Sequence, residues 1–390
     1  MRASPNQTRD PAATARPLAV QFLAASLLIL AASSTGCARG NRAEAGPSGA
    51  GVGGAAEKPA DPMLAAGYRS QWKGYPQVDA RAGVKSIDVL GDVVAVHDNA
   101  NILTVMEPGT GRNRWSLDLG SPLLKFVGNA RMDDKLFACS ESEIQVLDVR
   151  TGAVKGRQRL SALANTPPII HHSIAIFGCS TGEVLGHNLA TGYKLWAYKL
   201  GGTIKASPVI VGESVAAVSQ AGDVILLNPQ NGESYGRRLS IFGGLDNNPT
   251  AGESSLVLAG TDQSIWSISE DGKQNWRVRT PDRLSAQPVV VDGKAIVYVP
   301  STGLTCFDLS GGATVWQSKD VNGTVIAVRN GKLVVWDPAA KSLLTLDPAR
   351  GDVIERAPLP DAVKLTVDQF TDGNLYVANR DGSVDKYSPR

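Results

Sequence analysis

Residues 288–316 read PVVVDGKAIVYVPSTGLTCFDLSGGATVW and contain the elements that decide the fold. Short runs of β-branched and other apolar residues, separated by a small turn, are typical of strands buried on both faces. The segment from Asp308 to Gly312 then predicts a tight turn, in which the Asp side chain caps the backbone and the last glycine takes a positive φ. Trp316 follows four residues after that glycine.

The same unit recurs along the chain at a nearly constant spacing. The glycines that close the turns lie at positions 111, 152, 192, 232, 272, 312 and 351, so the steps are 41, 40, 40, 40, 40 and 39 residues. Four copies have a tryptophan four residues after this glycine, and the other three have Gly156, Gly236 or Glu355 there. About forty residues of short strands and tight turns is the size of one four-stranded propeller blade.

The two ends of the array indicate how many blades there are. The strand pair appears an eighth time in residues 367–387, but the chain stops before its last strand, while an unassigned strand, Tyr68–Trp72, precedes the first full unit. We therefore predict an all-β, eight-bladed propeller over residues 68–390, whose N-terminal strand completes the last blade and removes free sheet edges. Five tryptophans are predicted to pack between blades: Trp72, Trp115, Trp196, Trp276 and Trp316.

The N-terminal region has the features of an export signal. Three arginines precede an apolar run from Leu18 to Ala32, which is shorter than the roughly 20 residues of a membrane-spanning helix. Small residues and Cys37 follow, which resembles a bacterial lipoprotein signal, although Ser34 stands where such signals usually have leucine. We predict a signal peptide over 1–36 with lipid attachment at Cys37; the alternative is an ordinary secretory signal with an incidental cysteine. Residues 37–67, rich in Gly, Ala and Pro, are expected to be a flexible tether.

Charge and cysteine content exclude several functions. Lys and Arg (39) nearly balance Asp and Glu (37), so no nucleic-acid partner is expected. The remaining cysteines, Cys139, Cys179 and Cys306, match no CxxC motif. Cys139 and Cys179 occupy the same position in consecutive units; we expect buried thiols there, with a disulfide as the alternative.

The turns of the form Leu-Asp-x-x-Thr-Gly and the tryptophan that follows resemble the pyrroloquinoline-quinone-like repeat family, over 68–390. Combined with a lipoprotein signal and eight blades, the chain is similar to the BamB lipoproteins of the outer-membrane β-barrel assembly machinery. The resemblance implies a lipid-anchored, periplasm-facing scaffold, monomeric within a hetero-complex, with envelope proteins such as an outer-membrane barrel-assembly complex as partners. Ala38 favours the outer membrane by the same resemblance; the cell surface or the periplasm are the alternatives.

Family members engage their partner through mid-chain loops that carry Leu, Arg and Asp residues, and the corresponding stretches here depart from that pattern. Residues 239–248 contain no arginine, and the segment before Pro288 is short. The candidates for partner binding are Phe242, Leu245, Asp246, Asp282 and Arg283, with Phe242 and Leu245 as candidates for an exposed apolar contact. For these two apolar residues, the favoured interpretation is that they only fill the edge of a blade.

No catalytic residue, metal site or cofactor is predicted. Quinoprotein dehydrogenases share the repeat, but the family implies an adjacent cysteine pair, which this chain lacks. His171 and His172 are expected to point to opposite faces of a strand, which disfavours a shared metal. The second functional hypothesis is a lipoprotein that binds a small molecule, sugar or wall fragment in the propeller channel.

Overall fold

The computed structural model describes residues 61–79, 81–252 and 254–390. These residues form eight four-stranded antiparallel sheets, which confirms the predicted eight-bladed propeller. The predicted signal peptide and Cys37 lie outside the described residues. Within the described ranges, no helix is long and apolar enough to cross a membrane.

The strands follow the chain blade by blade, starting with the innermost strand of each sheet. Blades 1 to 4 contain β2 (Val84–Val89), β3 (Val94–Asp98), β4 (Ile102–Met106), β5 (Asn113–Asp118); β6 (Phe126–Met132), β7 (Lys135–Ser140), β8 (Glu143–Asp148), β9 (Val154–Arg159); β10 (Ile169–His171), β11 (Ile174–Gly178), β12 (Glu183–Asn188), β13 (Tyr193–Lys199); and β14 (Val209–Val211), β15 (Ser214–Val218), β16 (Asp223–Leu227), β17 (Leu239–Ser240).

The second half of the ring repeats this order. Blades 5 to 8 contain β18 (Thr250–Ala251), β19 (Ser255–Gly260), β20 (Ser264–Ser269), β21 (Gln274–Arg279); β22 (Val289–Val291), β23 (Lys294–Val299), β24 (Gly303–Asp308), β25 (Thr314–Ser318); β26 (Thr324–Arg329), β27 (Lys332–Asp337), β28 (Ser342–Leu346), β29 (Val353–Pro358); and β30 (Ala362–Val367), β31 (Leu375–Asn379), β32 (Val384–Pro389), β1 (Tyr68–Gly74).

The middle strands of each blade form the core. Four of the middle strands, β3, β11, β15 and β31, are buried along their whole length. In the outer strand β9, by contrast, four of the six residues are exposed. Apolar clusters lie between neighbouring blades and contain residues from both, because each sheet buries both of its faces. The apolar runs of the sequence are thus the middle strands of the blades.

The N-terminal strand closes the ring, as predicted. β1 pairs antiparallel with β32, placing Trp72 opposite Lys386. The backbone N–H of Arg390 donates to the carbonyl of Gly67 at 3.0 Å, which brings the two ends of the body together. Arg329, the last residue of β26, is 6% exposed and donates through Nε to the same Gly67 carbonyl at 3.1 Å. Its Nη1 contacts Asp372 Oδ1 at 2.6 Å, and its Nη2 donates to the Arg390 carbonyl.

A short helix, α1 (Pro62–Ala65), precedes the first strand. Asp61 caps it, accepting a hydrogen bond from the Met63 N–H at 3.0 Å. Met63 and Ala66 are buried in the apolar cluster between blades 7 and 8. The sequence places residues 61–67 in the tether; in the structure the packed body already begins there, because Met63 supplies an apolar side chain at the seam.

Each of the five repeat tryptophans lies against the next blade. The indole N–H donates to the backbone carbonyl three residues before the closing glycine of that blade. These bonds join Trp72 to Pro108 (2.9 Å), Trp115 to Val149 (3.0 Å), Trp196 to Pro229 (3.0 Å), Trp276 to Leu309 (2.7 Å) and Trp316 to Pro348 (3.0 Å).

The closing glycine of the turn is needed for this packing as well as for its backbone angle. At Gly232, φ is +73° and a Cβ atom would lie 2.6 Å from the Trp196 ring. The glycine and the tryptophan of the sequence motif therefore belong to one contact, made between a blade and its successor.

Three junctions lack the tryptophan, and each is built differently. Between blades 2 and 3, the Gln158 side chain takes over the hydrogen bond, with Nε2 donating to the Leu189 carbonyl at 2.9 Å. Between blades 7 and 8, α1 packs against β29, the strand that carries Glu355. Between blades 4 and 5, Gly236 stands at the tryptophan position, so no aromatic ring packs on the turn that ends at Gly272.

The three cysteines of the described residues are buried, free thiols. Cys139 and Cys179 lie in the same apolar cluster between blades 2 and 3, which confirms equivalent positions in adjacent blades. Burial raises the pKa of the Cys179 thiol to about 12 and that of Cys306 to about 11. These thiols are therefore neutral packing groups with little nucleophilic character.

Replacing a docking tryptophan should destabilise the ring. We expect Trp196→Ala to lower the free energy of unfolding by about 3–5 kcal/mol, because it removes a buried aromatic ring and leaves a cavity. Trp196→Phe, which loses chiefly the hydrogen bond to Pro229, should cost less. Urea denaturation measures both, with Lys194→Ala on the exposed face of the same strand as control. An Ala variant as stable as the control would contradict the docking role.

Acid should destabilise the fold through His97. This side chain is 1% exposed, its ring packs against Phe126 at 5.2 Å, and burial lowers its pKa to about 4. Because the unfolded imidazole titrates near 6.5, neutral His97 contributes stability above that pH and loses it as the pH falls towards 4. The contribution is about 2–3 kcal/mol.

The measurement is urea unfolding at pH 7.5 and pH 4.5 for the wild type and for His97→Gln, which cannot titrate. The loss of stability between the two pH values should be smaller in the variant. An equal loss in both proteins would show that His97 is not responsible.

Candidate interaction surface

The outer part of blade 4 departs from the repeat and exposes an aromatic side chain. Its outer strand β17 has only two residues, and a loop over 241–249 connects it to blade 5. Ile241 and Leu245 hold this loop to the core, being 2% and 0% exposed. Phe242 between them is 71% exposed. The two neighbouring glycines, Gly243 at φ +98° and Gly244, let the chain turn back after Phe242.

Leu245 is buried, which excludes it as an exposed candidate and agrees with the interpretation that it fills the edge of a blade. Its side chain belongs to the cluster between blades 4 and 5, and its carbonyl accepts a hydrogen bond from Gln220 Nε2 at 2.6 Å. Leu245 therefore anchors the loop that presents Phe242, and its side chain is not accessible to a partner.

Phe242 is held in place by a stack of side chains from blade 5. The Arg277 guanidinium lies 5.3 Å from the centre of the Phe242 ring and 4.4 Å from that of Trp266, between the two. Arg277 Nη2 contacts Asp262 Oδ2 at 2.9 Å, and the Asp262 side chain is only 5% exposed. Because a buried carboxylate fixes the arginine and the arginine faces the ring, Phe242 is oriented before any partner arrives.

These residues line a groove of about 760 Å³, here called the Phe242 groove. Its lining consists of Phe242, Thr261, Asp262, Gln263, Arg277, Arg279 and Arg283. Arg283 forms an ion pair with Asp246, with Nε 2.9 Å from Oδ2. Arg279 Nη2 donates a hydrogen bond to Gln263 Oε1 at 3.4 Å, and Arg279 forms no ion pair within the described residues. An exposed ring beside an unneutralised arginine can accept an apolar side chain next to a carboxylate.

The structure thus brings together three of the five predicted residues, Phe242, Asp246 and Arg283. Asp282 makes a structural contact instead. Its Oδ2 accepts a hydrogen bond from the Ser301 N–H at 2.7 Å and so fixes a turn of blade 6.

The sequence analysis did not identify Arg277 and Arg279, because it looked for arginine within residues 239–248 and found none there. The arginines come instead from β21 of the next blade. Their alternation along that strand, which places both on one face, was the available signal.

The adjacent histidines lie elsewhere and do not behave as predicted. His171 ends β10, whereas His172 has a φ of +53° in the turn that follows. Their rings therefore contact each other edge to face, 4.4 Å between centres, and do not point to opposite faces. The pKa of His171 is lowered by burial and by the neighbouring His172. In the described part of the chain, no group of three or more His, Cys, Asp or Glu side chains could hold a metal ion.

A second concave surface lies on the inner strands of blades 5 to 7 and the β30–β31 loop of blade 8. This groove of about 420 Å³ has an apolar wall of Val289, Val290, Ile326 and Phe370. Gln287 and Thr250 form a polar rim, with Gln287 Nε2 3.3 Å from Thr250 Oγ1.

Comparison with known proteins points to one family. The model of the family described as outer membrane protein assembly factor BamB matches residues 69–243 and 222–385. Outer membrane protein assembly factor BamB of Moranella endobia is 21% identical over 256 residues, which are 63% of this chain and 59% of that protein. Protein Rv3035 of Mycobacterium tuberculosis is 27% identical over 160 residues, 36% of this chain and 38% of that protein. The matches therefore span less than two thirds of both relatives.

Solved structures share the fold. The crystal structure of BamB from Moraxella catarrhalis has a TM-score of 0.66 at 18% identity, covering 82% of this chain and 97% of the other. The computationally designed Ika8 protein has a TM-score of 0.65 at 13% identity and covers 81% of this chain and 100% of its own. A designed protein with the same architecture illustrates that this fold alone carries no particular function.

Removing Arg277 should destabilise the Phe242 groove more than removing its neighbour. We expect Arg277→Ala to lower the free energy of unfolding by about 2–3 kcal/mol, since it leaves the Asp262 carboxylate buried without its partner. Arg279→Ala, on the same strand but without an ion pair, should cost less than about 0.5 kcal/mol. Urea denaturation of the two variants gives the comparison. Equal effects would show that the stack does not organise the groove.

Proposed function

The chain belongs to the family of outer membrane protein assembly factor BamB, and from this premise we propose that it is a protein-binding scaffold of the bacterial envelope. Its role is to hold partner proteins of outer-membrane assembly, and it performs no catalysis. The Phe242 groove is the surface through which it binds them.

The preorganised exposed phenylalanine is the observation that supports this proposal. Strong binding sites between proteins are centred on aromatic and arginine side chains that are already ordered before the complex forms. Phe242 meets both conditions, because Arg277 and the buried Asp262 fix its position. The eight interlocked blades supply a rigid support, so little ordering entropy is lost on binding.

Membrane attachment is part of the proposal. Lipidation of Cys37 would anchor the chain durably, since each buried CH₂ of the acyl chains contributes about 0.8 kcal/mol. The Gly-rich segment that follows would let the propeller reach partners away from the lipid surface. The expected location is the periplasmic face of the outer membrane.

The groove on the inner strands supports a second candidate function. Its apolar wall and amide rim are the features of a small-molecule site, so a sugar or wall fragment could bind there. A ligand that co-purifies with the protein, and is lost in Phe370→Ala, would favour this candidate. Quinone-dependent oxidation has less support, because the four cysteines lie at positions 37, 139, 179 and 306 and no two are adjacent.

Affinity purification from detergent-solubilised membranes of the source bacterium tests the scaffold. We expect the tagged wild type to recover an outer-membrane barrel protein, and a Phe242→Ala, Arg283→Glu variant to recover at least about tenfold less, which corresponds to about 1.4 kcal/mol of binding. Leu123→Ala is the matched control, because Leu123 is 93% exposed and lies on the segment that connects blades 1 and 2.

Two outcomes would overturn the proposal. One is the absence of any barrel protein in repeated purifications of the wild type. The other is undiminished recovery with the Phe242 variant, which would move the interface elsewhere. A Cys37→Ser protein tests the anchor separately and should shift from the membrane to the soluble fraction.

A further inference from the structure

The junction between blades 2 and 3 contains a groove where other blades have a docking tryptophan. Gly156 occupies the tryptophan position of β9, and no atom lies within 4 Å of the place where its Cβ would be. The resulting cavity has a volume of about 490 Å³. Its walls are the outer strand of blade 2 and the turn of blade 3, from Leu189 to Tyr193.

This junction does not need the tryptophan, because Gln158 replaces its structural contact. Gln158 Nε2 donates to the Leu189 carbonyl, and its Oε1 is 3.0 Å from His187 Nε2. The side chain also covers Gly192, the closing glycine of the turn, with Cγ 3.3 Å from where a Cβ would lie. The space over Gly156 is therefore left free while the two blades remain joined.

The groove is strongly basic. Lys135, Lys155, Arg157 and Arg159 line it. Lys155 pairs with Asp148 at 3.4 Å and Arg157 with Glu143 at 3.6 Å. Lys135 and Arg159 form no ion pair within the described ranges, although Asp148 and Glu143 lie opposite them in the strand pairing. Four basic side chains therefore share two carboxylates, and the groove keeps an excess of positive charge.

An aromatic side chain forms the opposite wall. Tyr193 is 75% exposed and stands at the end of the blade 3 turn. A planar group entering the space over Gly156 would contact this ring and the aliphatic parts of the basic side chains.

The other tryptophan-free glycine junction has the opposite charge. Between blades 4 and 5, the cavity beside Gly236 is about 520 Å³ and is lined by Glu213, Glu270, Asp271 and Tyr235. Both glycine junctions therefore contain a cavity, and the surrounding charges decide what each can accept.

We propose that the groove over Gly156 is a second binding site, separate from the Phe242 groove, for an acidic, extended segment of a partner protein that carries an aromatic side chain. The aromatic ring packs in the open space over Gly156, beside Tyr193. Carboxylates of the same segment pair with Lys135 and Arg159. The charge of the groove selects this partner against a basic one.

The test measures fluorescence anisotropy of a labelled peptide that alternates aspartate and serine around one central tryptophan, with purified full-length protein in non-ionic detergent. Gly156→Trp introduces the residue that five other blades have here, at a position where a Cβ meets no other atom, and urea denaturation checks that it folds. We expect it to weaken peptide binding at least about tenfold by filling the groove. Lys135→Glu with Arg159→Glu should weaken binding similarly, and wild-type affinity should fall as salt rises.

The matched control is Glu270→Gln in the acidic groove, which should leave binding of this peptide unchanged. A peptide with lysine in place of aspartate should bind the wild-type groove over Gly156 much more weakly. Unchanged affinity in a folded Gly156→Trp protein would overturn the proposal. Sedimentation with phosphatidylglycerol vesicles that depends on Lys135 and Arg159 but not on Gly156→Trp would also overturn it, in favour of a lipid surface. Both outcomes are independent of recovery through Phe242.

Discussion

The contact between the tryptophan of one blade and the closing glycine of the next is the interaction on which the rest of the structure depends. A four-stranded blade has two apolar faces and cannot cover either by itself. The indole ring covers the turn of the next blade and donates its N–H to a backbone carbonyl there, as Trp196 does to Pro229. Repeating this contact at five of eight junctions sets the distance between blades, and pairing of β1 with β32 closes the ring.

The junctions without tryptophan show how a repeated core can acquire individual surfaces. At the junction of blades 7 and 8, α1 and the buried Arg329 hold the N-terminal end of the propeller in place, so this junction helps to close the ring. At Gly156 and Gly236, no aromatic side chain fills the position, and cavities of opposite charge remain. Because the other junctions supply the stability, these two are free to vary.

The Phe242 groove also arises where one blade departs from the repeat, in this case over a whole loop. Blade 4 has the shortest outer strand, and the loop that replaces the rest of it carries Phe242. The exposed ring alone would be a liability in water, but Leu245 anchors the loop and Arg277 covers one side of the ring. The family match explains the architecture, whereas the chemistry of binding depends on these few side chains.

The sequence by itself was sufficient for the blade count, the closure by the strand around Trp72 and the buried thiols, because a forty-residue period and apolar runs are local signals that each repeat carries independently. It also indicated Phe242, Asp246 and Arg283, although Leu245 and Asp282 turned out to have structural contacts instead. Only the tertiary structure brought Arg277 of blade 5 against Phe242 of blade 4 and showed that Gln158 leaves the space over Gly156 free. Contacts of this kind depend on which side chains meet across two neighbouring sheets, and no periodicity within one segment specifies that meeting.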